Sequence, residues 1–308
     1  MSLLITCEVG GDAIPHWLAP HLHQLAIKSS SSTRKRGRAK SRTPITAHRK
    51  SSRPGTSKLK SRPIIASVHD AWIEYKDLAD DSPENSALSK MMSGLRVDRH
   101  GIEIATKLAT TLKAERHFHR YPIELVDVTK DRKQRRLFSG PFQNVDRTIQ
   151  HRLLKEIHEA YLDNLSRCIE RQLKKDGFVV HFSIRTFPLK KQGNIRRTDV
   201  GLLYDPSSQD EVDLCMDLVD DMWYRAPMLK VRRNYPRRGV EVGVTRRLRR
   251  RFSGSDYVGI ELWLNRAWCG RAVSLRDEAL EAMTQSMASV TGISESPLDE
   301  MTSLYDAA

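Results

Sequence analysis

The chain has 308 residues, of which 39% are hydrophobic and 29% charged, and it carries a formal net charge of +14. This length is enough to bury a substantial core, and no stretch reaches the roughly 18 apolar residues that a membrane span requires. Residues 28–62 hold 13 Lys and Arg and no Asp or Glu, so 14 minus 13 leaves about +1 for all other residues. The basic charge therefore belongs to one segment and not to the fold as a whole.

Four cysteines lie far apart in the sequence: Cys7, Cys168, Cys215 and Cys269. None belongs to a Cys-x-x-Cys pair, which argues against a zinc knuckle, a redox motif or a dense disulfide framework. The short apolar run at the start follows no basic region, so it does not resemble an export signal. These features predict a cytoplasmic protein with reduced thiols.

The first half of the chain predicts a strand, an insertion, a helix and a second strand. Residues 3–7 are apolar and are followed by Gly10-Gly11, which is typical of a strand that runs into a tight turn. Residues 28–62 include nine serines and few large apolar side chains, which predicts a disordered basic insertion. Residues 101–114 have apolar positions at helical spacing, and the apolar-rich residues 121–128 predict a strand.

The second half continues this alternation. Residues 147–175 place an apolar residue at every fourth position and are followed by Gly177, which predicts one long amphipathic helix. The remaining predicted elements are strands at 178–184 and 257–264 and helices at 210–223 and 274–288. Strands alternating with helices are typical of an α/β domain whose mixed, mainly parallel sheet is covered by helices on both faces.

The composition also predicts the organisation of the chain. We expect one α/β domain built from residues 1–27 and 63–271, with 28–62 as an insertion. Residues 272–308 are predicted to form a C-terminal helix followed by an acidic, frayed tail. No internal repeat is visible.

Several segments, in a fixed order, carry a specific resemblance. They are 6–15 (Thr-Cys-Glu-Val-Gly-Gly-Asp-Ala-Ile-Pro), 181–187 (His-Phe-Ser-Ile-Arg-Thr-Phe), 193–206 (Gly-Asn-Ile-Arg-Arg-Thr-Asp-Val-Gly-Leu-Leu-Tyr-Asp-Pro), 234–239 (Asn-Tyr-Pro-Arg-Arg-Gly) and 257–265 (Tyr-Val-Gly-Ile-Glu-Leu-Trp-Leu-Asn). Together they resemble the N-formylglutamate amidohydrolase family. The resemblance implies a three-layer, hydrolase-like α/β fold similar to that of zinc carboxypeptidases, and zinc-dependent hydrolysis of an N-formyl or N-acyl amide.

Four positions depart from what the family pattern implies. Val9 and Arg185 stand where the family has zinc-binding histidines. Trp263 replaces the glutamate that acts as general base, and Thr129-Lys130 replaces the Asn-Arg pair that clamps the substrate. Val cannot bind a metal and Arg repels one, so we expect no zinc cofactor.

Other residues of the family frame are present. Glu8 and Glu261 are the candidate catalytic carboxylates, because a two-residue shift of the alignment would put Glu261 at the general-base position. The candidate substrate-binding residues are Lys130, Arg196, Asp199 and Asn234. Arg196 and Asp199 have the alternative of a structural ion pair, and Lys130 that of a solvated surface position.

The alternative metal site consists of Glu8, Asp98 and His181, whose side chains are acceptable ligands for zinc; the competing interpretation is ordinary buried hydrogen bonding. His16, His21 and His23 are close in sequence, and surface positions are favoured over metal binding there. Residues 246–251 (Arg-Arg-Leu-Arg-Arg-Arg) predict a solvated helix face rather than a nucleic-acid contact.

The resemblance also predicts the surroundings of the altered positions. It places Val9, Arg185 and Trp263 together at strand ends, with Trp263 filling the volume of the catalytic carboxylate. A partly buried Arg185 is then expected to pair with a nearby carboxylate. The candidates are Glu8, Asp12 and Glu261.

Three hypotheses for function follow. The favoured one is an N-formylglutamate amidohydrolase-like pseudoenzyme that lacks zinc-dependent catalysis and binds an acidic small molecule or a partner. The alternative is an active amidohydrolase that cleaves an N-acylated acidic amino acid with a rearranged metal site. The third is non-specific binding of polyanions through residues 28–62, which neutralises phosphates without reading bases.

Overall fold

The computed structural model describes residues 1–19, 21, 22, 24, 91–254 and 256–293, together with the backbone of 72–73. The predictions for the basic segment 28–62, for His23 and for the tail beyond residue 293 lie outside these described residues. The chain divides into two compact units, Met1–Ala13 with Gly94–Ala308, and Ile14–Ser93. Apart from the N-terminal histidines, every candidate site residue belongs to the first, larger unit.

The strands are β1 (Ser2–Cys7), β2 (Ile14–Pro15), β3 (Trp72–Ile73), β4 (Glu115–Phe118), β5 (Val179–Phe187), β6 (Lys190–Lys191), β7 (Asn194–Ile195), β8 (Val200–Leu203), β9 (Val231–Arg233) and β10 (Tyr257–Asn265). Six of them form the sheet of the larger unit, in the order β4-β1-β5-β10-β8-β9. Neighbouring strands are parallel except β10 and β8, which are antiparallel. The carboxyl ends of β4, β1, β5 and β10 therefore meet at one edge of the sheet.

The helices are α1 (Arg99–Thr111), α2 (Arg147–Leu153), α3 (Ala160–Asp176), α4 (Gln209–Arg225), α5 (Val244–Arg251) and α6 (Val273–Thr291). Residues of α1, α4 and α6 share one apolar core with the sheet. Side chains of α3 and α5 contact polar residues of the sheet, as described below. A mixed, mainly parallel sheet flanked by helices confirms the predicted α/β class.

The central strands of this sheet have one apolar and one polar face. Alternate residues of a strand point to opposite faces, and Ile5, Phe182 and Ile260 belong to the apolar core. Their strand neighbours Thr6 and Ser183 are equally buried on the other face. This polar face carries the candidate site.

The prediction of a strand at residues 121–128 is wrong. These residues form turns, in which the Leu125 N–H donates to the Pro122 carbonyl oxygen at 3.1 Å and the Asp127 N–H donates to that of Leu137 at 2.8 Å. The proline has no N–H to offer a sheet, and the apolar run is buried by turns instead. The actual strand is β4, whose sequence Glu-Arg-His-Phe has no apolar alternation.

The prediction of one continuous helix at 147–175 is only partly correct. A π-helical segment, Leu154–Glu159, joins α2 to α3. Apolar residues spaced by four would drift around an α-helix of 3.6 residues per turn, and a wider π-helical turn returns them to one side. Leu153 and Tyr161 are buried on either side of this π-helical segment. Helix α3 is followed by Gly177, which has a positive φ of 76°.

The smaller unit is described over few residues. The backbones of β2 and β3 pair antiparallel, and a 3₁₀ turn, His16–Leu18, follows β2. His16 and His21 are exposed. No helix among the described residues of the chain is long and apolar enough to cross a membrane.

Candidate functional site

The candidate site lies at the carboxyl ends of β1, β5 and β10. In the sheet register, Thr6 lies opposite Ser183, which also lies opposite Glu261 on its other side. Two residues further on, Arg185 lies opposite Trp263. Because side chains with this spacing share a face, the register alone brings these residues together.

A buried chain of hydrogen bonds crosses the strands below the site. The Thr6 hydroxyl donates to Glu8 Oε1 at 2.6 Å, and the Ser183 hydroxyl donates to Glu8 Oε2 at 2.7 Å. His181 Nε2 lies 2.8 Å from the Thr6 oxygen, and His181 Nδ1 lies 2.7 Å from the Tyr257 hydroxyl oxygen. Since Thr6 has one proton and gives it to Glu8, His181 donates through Nε2 and accepts from Tyr257 through Nδ1.

Burial controls the protonation of the residues in this hydrogen-bond network. Burial lowers the pKa of His181 to about 3, and the charge of Arg249 acts in the same direction. Burial also raises the pKa of Glu8, although the nearby charge of Arg185 and the two hydroxyl hydrogen bonds lower it in part. At neutral pH the imidazole of His181 is therefore neutral, which is consistent with the tautomer that the hydrogen bonds require.

Glu261 is fully engaged by other side chains. The Arg237 Nη2 donates to both of its carboxylate oxygens, at 2.8 and 2.6 Å, and the indole N–H of Trp263 donates to Oε2 at 2.9 Å. The Thr245 hydroxyl adds a bond of 3.1 Å. Gly243 allows this arrangement, because a Cβ at that position would lie 2.1 Å from Glu261 Oε1.

The indole of Trp263 lies against two guanidinium groups. The central carbon of the Arg185 guanidinium is 5.0 Å from the ring centroid, and that of Arg237 is 5.3 Å from it. Both distances fall within the range of cation–π contacts. The expectation that Arg185 pairs with a carboxylate is wrong for the described residues: it forms no ion pair with any of them, and Glu261 pairs with Arg237 instead.

Asp98 joins the end of β1 to the end of β5. Its backbone N–H donates to the Val9 carbonyl oxygen at 2.8 Å, which fixes Val9 beside this aspartate. Its carboxylate accepts from the Thr186 N–H at 2.7 Å and from the Thr186 hydroxyl at 2.6 Å. It also accepts from the Gly101 N–H at the start of α1, as a helix N-cap.

The family-implied zinc does not fit these residues. Val9 has no donor atom, Arg185 is cationic, and Trp263 uses its only N–H on Glu261. The oxygens of Asp98 and the alternative ligands Glu8 and His181 are engaged in the hydrogen bonds described above. Over the described ranges, no group of three or more His, Cys, Asp or Glu side chains is arranged to hold a metal ion.

Thr129 and Lys130 are bound to Asp127. The Thr129 hydroxyl donates to Asp127 Oδ1 at 2.6 Å, and Lys130 Nζ lies 3.1 Å from Oδ2. Burial raises the pKa of Asp127, but the Thr129 hydrogen bond and the charges of Lys130 and Arg185 outweigh it and lower the pKa overall. Lys130 also donates to the Arg136 carbonyl oxygen at 2.8 Å, so its ammonium group is held by two protein groups while its side chain stays partly exposed.

Arg196, Asp199 and Asn234 have structural contacts. Arg196 lies over the ring of Phe187 at 5.6 Å, so the alternative of an Arg196–Asp199 ion pair is not what the structure has. Asp199 pairs with Arg271 at 3.2 Å and accepts from the Lys230 N–H.

Asn234 uses its side-chain oxygen to accept from the Gly239 N–H at 2.9 Å and the Tyr204 N–H at 3.3 Å. It therefore braces the loop between β9 and α5, which also carries Arg237.

The arginine-rich helix α5 is not simply solvated, contrary to prediction. Arg249 pairs with the buried Glu211 at 2.6 Å and donates to the carbonyl oxygens of Gly239, at 3.1 Å, and Gly259. Arg247 donates to the carbonyl oxygens of Val128 and Lys130. Two of the arginines thus fasten the helix to the sheet and to the loop at 128–130.

Sequence reasoning missed several polar residues beside the site. His117 and His119 extend the polar face next to Thr6 and Glu8, and the ring centroid of each lies 5.0 Å from that of Tyr161. Burial lowers the pKa of both histidines, that of His119 to about 3. Their spacing of two residues, which puts both histidines on one face of a strand, is a signal in the sequence. It could be used only if β4 were predicted as a strand.

Comparison with solved structures shows a similarity of fold, which the first of the following two structures carries. The crystal structure of gene product Atu2144 from Agrobacterium tumefaciens superposes with a TM-score of 0.58 at 16% sequence identity, covering 94% of this chain and 92% of that one. An N-formylglutamate amidohydrolase from Ralstonia eutropha JMP134 has a TM-score of 0.49 at 12% identity, covering 64% and 83%. No family model and no curated protein matches the sequence.

Proposed function

We propose that this chain is a binding protein for a small carboxylic acid, built on an N-formylglutamate amidohydrolase-like frame and without zinc-dependent catalysis. Arg185 supplies the positive charge for the carboxylate, and Trp263 supplies an aromatic wall for the rest of the ligand. The observation that carries the proposal is the position of the Arg185 guanidinium, 5.0 Å over the Trp263 ring at the strand ends, without an ion pair to any described carboxylate.

The other charges near the site are already neutralised or engaged. Glu261 has Arg237, and Asp127 has Thr129 and Lys130. Glu8 accepts two hydroxyl hydrogen bonds, and its raised pKa makes it a poor ion-pair partner. Arg185 is thus the cation to which a ligand carboxylate can add a charge-assisted hydrogen bond.

The resemblance in sequence narrows the ligand class. The frame around the site is that of a family whose substrates are N-acylated acidic amino acids, and the residues that have changed are those of the metal chemistry. A ligand of this class has a carboxylate for Arg185 and a flat amide for the indole face. We therefore expect N-formylglutamate, glutamate or a related dicarboxylate to bind without being hydrolysed.

The test is calorimetric titration of the full chain with N-formylglutamate, glutamate and succinate. Arg185→Met is expected to weaken binding at least about tenfold, because it removes a hydrogen bond to a charged group. Arg185→Lys should retain part of the affinity, since the charge remains but the planar donor fork is lost. Arg250→Met, an exposed arginine of α5, is the matched control and should bind like the unaltered chain.

Two outcomes contradict this proposal. Unchanged affinity in Arg185→Met would remove Arg185 from the site. Release of formate from N-formylglutamate, lost in Glu8→Gln, would instead support the alternative of an active amidohydrolase with a rearranged metal site.

A further inference from the structure

A second candidate site lies on the opposite, apolar face of the sheet. A cavity of about 310 Å³ opens between α1, α6 and the end of β10. Its apolar wall is formed by Ile104, Val200, Leu229, Leu264, Leu280 and Met283. Leu264 directly follows Trp263 in β10, so the two side chains point to opposite faces. The sheet itself therefore separates this cavity from the Arg185 site.

The cavity is lined by two cations and two carboxylates, Lys107, Arg276, Glu103 and Asp277, and among the described residues Arg276 alone of these four has no ion-pair partner. Arg276, in the first turn of α6, lines it and forms no ion pair with a described residue. The adjacent Asp277 pairs with Lys107 of α1 at 3.2 Å, which leaves it unavailable to Arg276. Within the described part of the chain, the Arg276 side chain makes one long hydrogen bond, from Nη1 to the Cys269 carbonyl oxygen at 3.4 Å.

Two buried nitrogen donors lie behind the wall of the cavity. Arg276 Nε and the indole nitrogen of Trp268, another lining residue, are buried and have no partner in the described part of the chain. Buried donors without acceptors are uncommon in folded proteins and are costly. A ligand in the cavity does not reach these two atoms, so a carboxylate there would meet the outer nitrogens of the Arg276 guanidinium.

We propose that this cavity binds a medium-chain carboxylate. The alkyl chain lies against the apolar wall, and the carboxylate group lies at Arg276. At roughly 30 Å³ for each water-sized group, 310 Å³ holds about ten non-hydrogen atoms, which matches octanoate. Ligand pockets of this kind are mostly apolar with a few placed polar groups.

Calorimetric titration of the full chain with octanoate, hexanoate and octanol tests the proposal. Octanoate is expected to bind with one site per chain. Each methylene buried is worth about fourfold in affinity, so hexanoate should bind about 15-fold more weakly. Octanol lacks the charge and should bind at least about tenfold more weakly than octanoate.

Substitutions of the lining residues test whether octanoate binds in this cavity. Arg276→Met is expected to abolish the preference for octanoate over octanol while octanol affinity stays unchanged, and Leu280→Trp should fill the cavity and abolish binding of both. Arg250→Met is the matched control for loss of an arginine. Arg185→Met should leave octanoate affinity unchanged, which separates this site from the proposed function.

Three results would overturn the inference. They are no saturable octanoate binding, equal octanoate affinity in Arg276→Met and the unaltered chain, or loss of octanoate binding in Arg185→Met. Far-UV circular dichroism of each variant establishes that it is folded before it is titrated.

Discussion

The two faces of the sheet are equally buried but are stabilised in different ways. Ile5, Phe182 and Ile260 are 0% exposed on the apolar face, while Thr6 and Glu261 are 0% and 1% exposed on the other. An apolar face is stable if volume and shape are filled, so it tolerates similar hydrophobic residues. A buried polar face is stabilised by pairing its donors and acceptors, as at Thr6 and Glu261, and each polar group left unpaired costs stability. The polar face therefore tolerates fewer substitutions than the apolar face. The proposed binding site lies on this polar face.

The largest expected effect comes from breaking the ion pair of Glu261. Arg237→Met leaves the buried Glu261 carboxylate without its cationic partner, and we expect about 3–5 kcal/mol less stability in urea unfolding at neutral pH. The double variant Arg237→Met, Glu261→Met should recover most of this loss, because no unpaired charge remains. Arg238→Met, an exposed neighbour, is the control. A loss below about 1 kcal/mol in Arg237→Met would contradict the polar-face account.

Neighbouring residues of β1 allow a direct comparison of the faces. Thr6→Val keeps the side-chain shape but removes the hydroxyl between His181 and Glu8, and it should cost about 2–3 kcal/mol. Ile5→Val removes one methyl from the apolar face and should cost about 0.5–1.5 kcal/mol. Both free energies of unfolding come from urea titration. Equal costs for the two variants would mean that the hydrogen bonds of the polar face contribute little.

The polar face should also make stability depend on pH. Burial lowers the pKa of His119 to about 3, so between about pH 6.5 and 3 the unfolded chain binds a proton that the folded chain does not. Stability is therefore lost as pH falls through this range, by at most about 1.4 kcal/mol per pH unit for this histidine. Glu8 has the opposite effect on the pH dependence of stability: burial raises its pKa, so the folded chain holds this proton more readily than the unfolded chain does.

His119→Phe keeps a ring beside Tyr161 and removes the titrating group. Urea unfolding of the variant and the unaltered chain at pH 7.5, 6.5, 5.5 and 4.5 is expected to show a shallower acid loss in the variant. Parallel curves would show that His119 is protonated as readily in the folded chain as in the unfolded one.

The smallest effect is expected from removal of the basic segment 28–62. Residues 28–62 have few large apolar side chains to contribute to a core, so their removal should change the melting temperature by less than about 2 °C. We propose that the same removal eliminates most salt-dependent binding to heparin, because the segment holds 13 cations and no anion. Loss of cooperative thermal unfolding in the shortened chain would show instead that the segment contributes to the core.

The elements predicted best were those with a clear apolar period. The strands at β1, β5 and β10 and the helices α1, α4 and α6 were all predicted within a few residues, because burial on one face leaves a regular pattern. The strand β4 was missed because its polar sequence carries no such pattern. The prediction of a strand at 121–128 is wrong because the apolar residues after Pro122 are buried in hydrogen-bonded turns and not in a sheet.

The partners within the site were harder to predict than its position. The register of parallel strands explains why Arg185 and Trp263 meet. The choice of Arg237 as the partner of Glu261 depends on the path of the loop after β9. Asn234 and Gly243 shape this loop through contacts with Tyr204 and Glu261, which are distant in sequence. Local sequence carries no record of such contacts, so the expected Arg185–carboxylate pair was a reasonable but wrong inference.

The central claim is that the strand-end site has an arginine-based anion site in place of a metal site. Elemental analysis of the purified chain, dialysed without chelator, tests it most directly. We predict far less than one zinc per chain, because Val9, Arg185 and Trp263 supply no metal ligand. About one tightly bound zinc per chain, lost in His181→Gln or Glu8→Gln, would contradict the account.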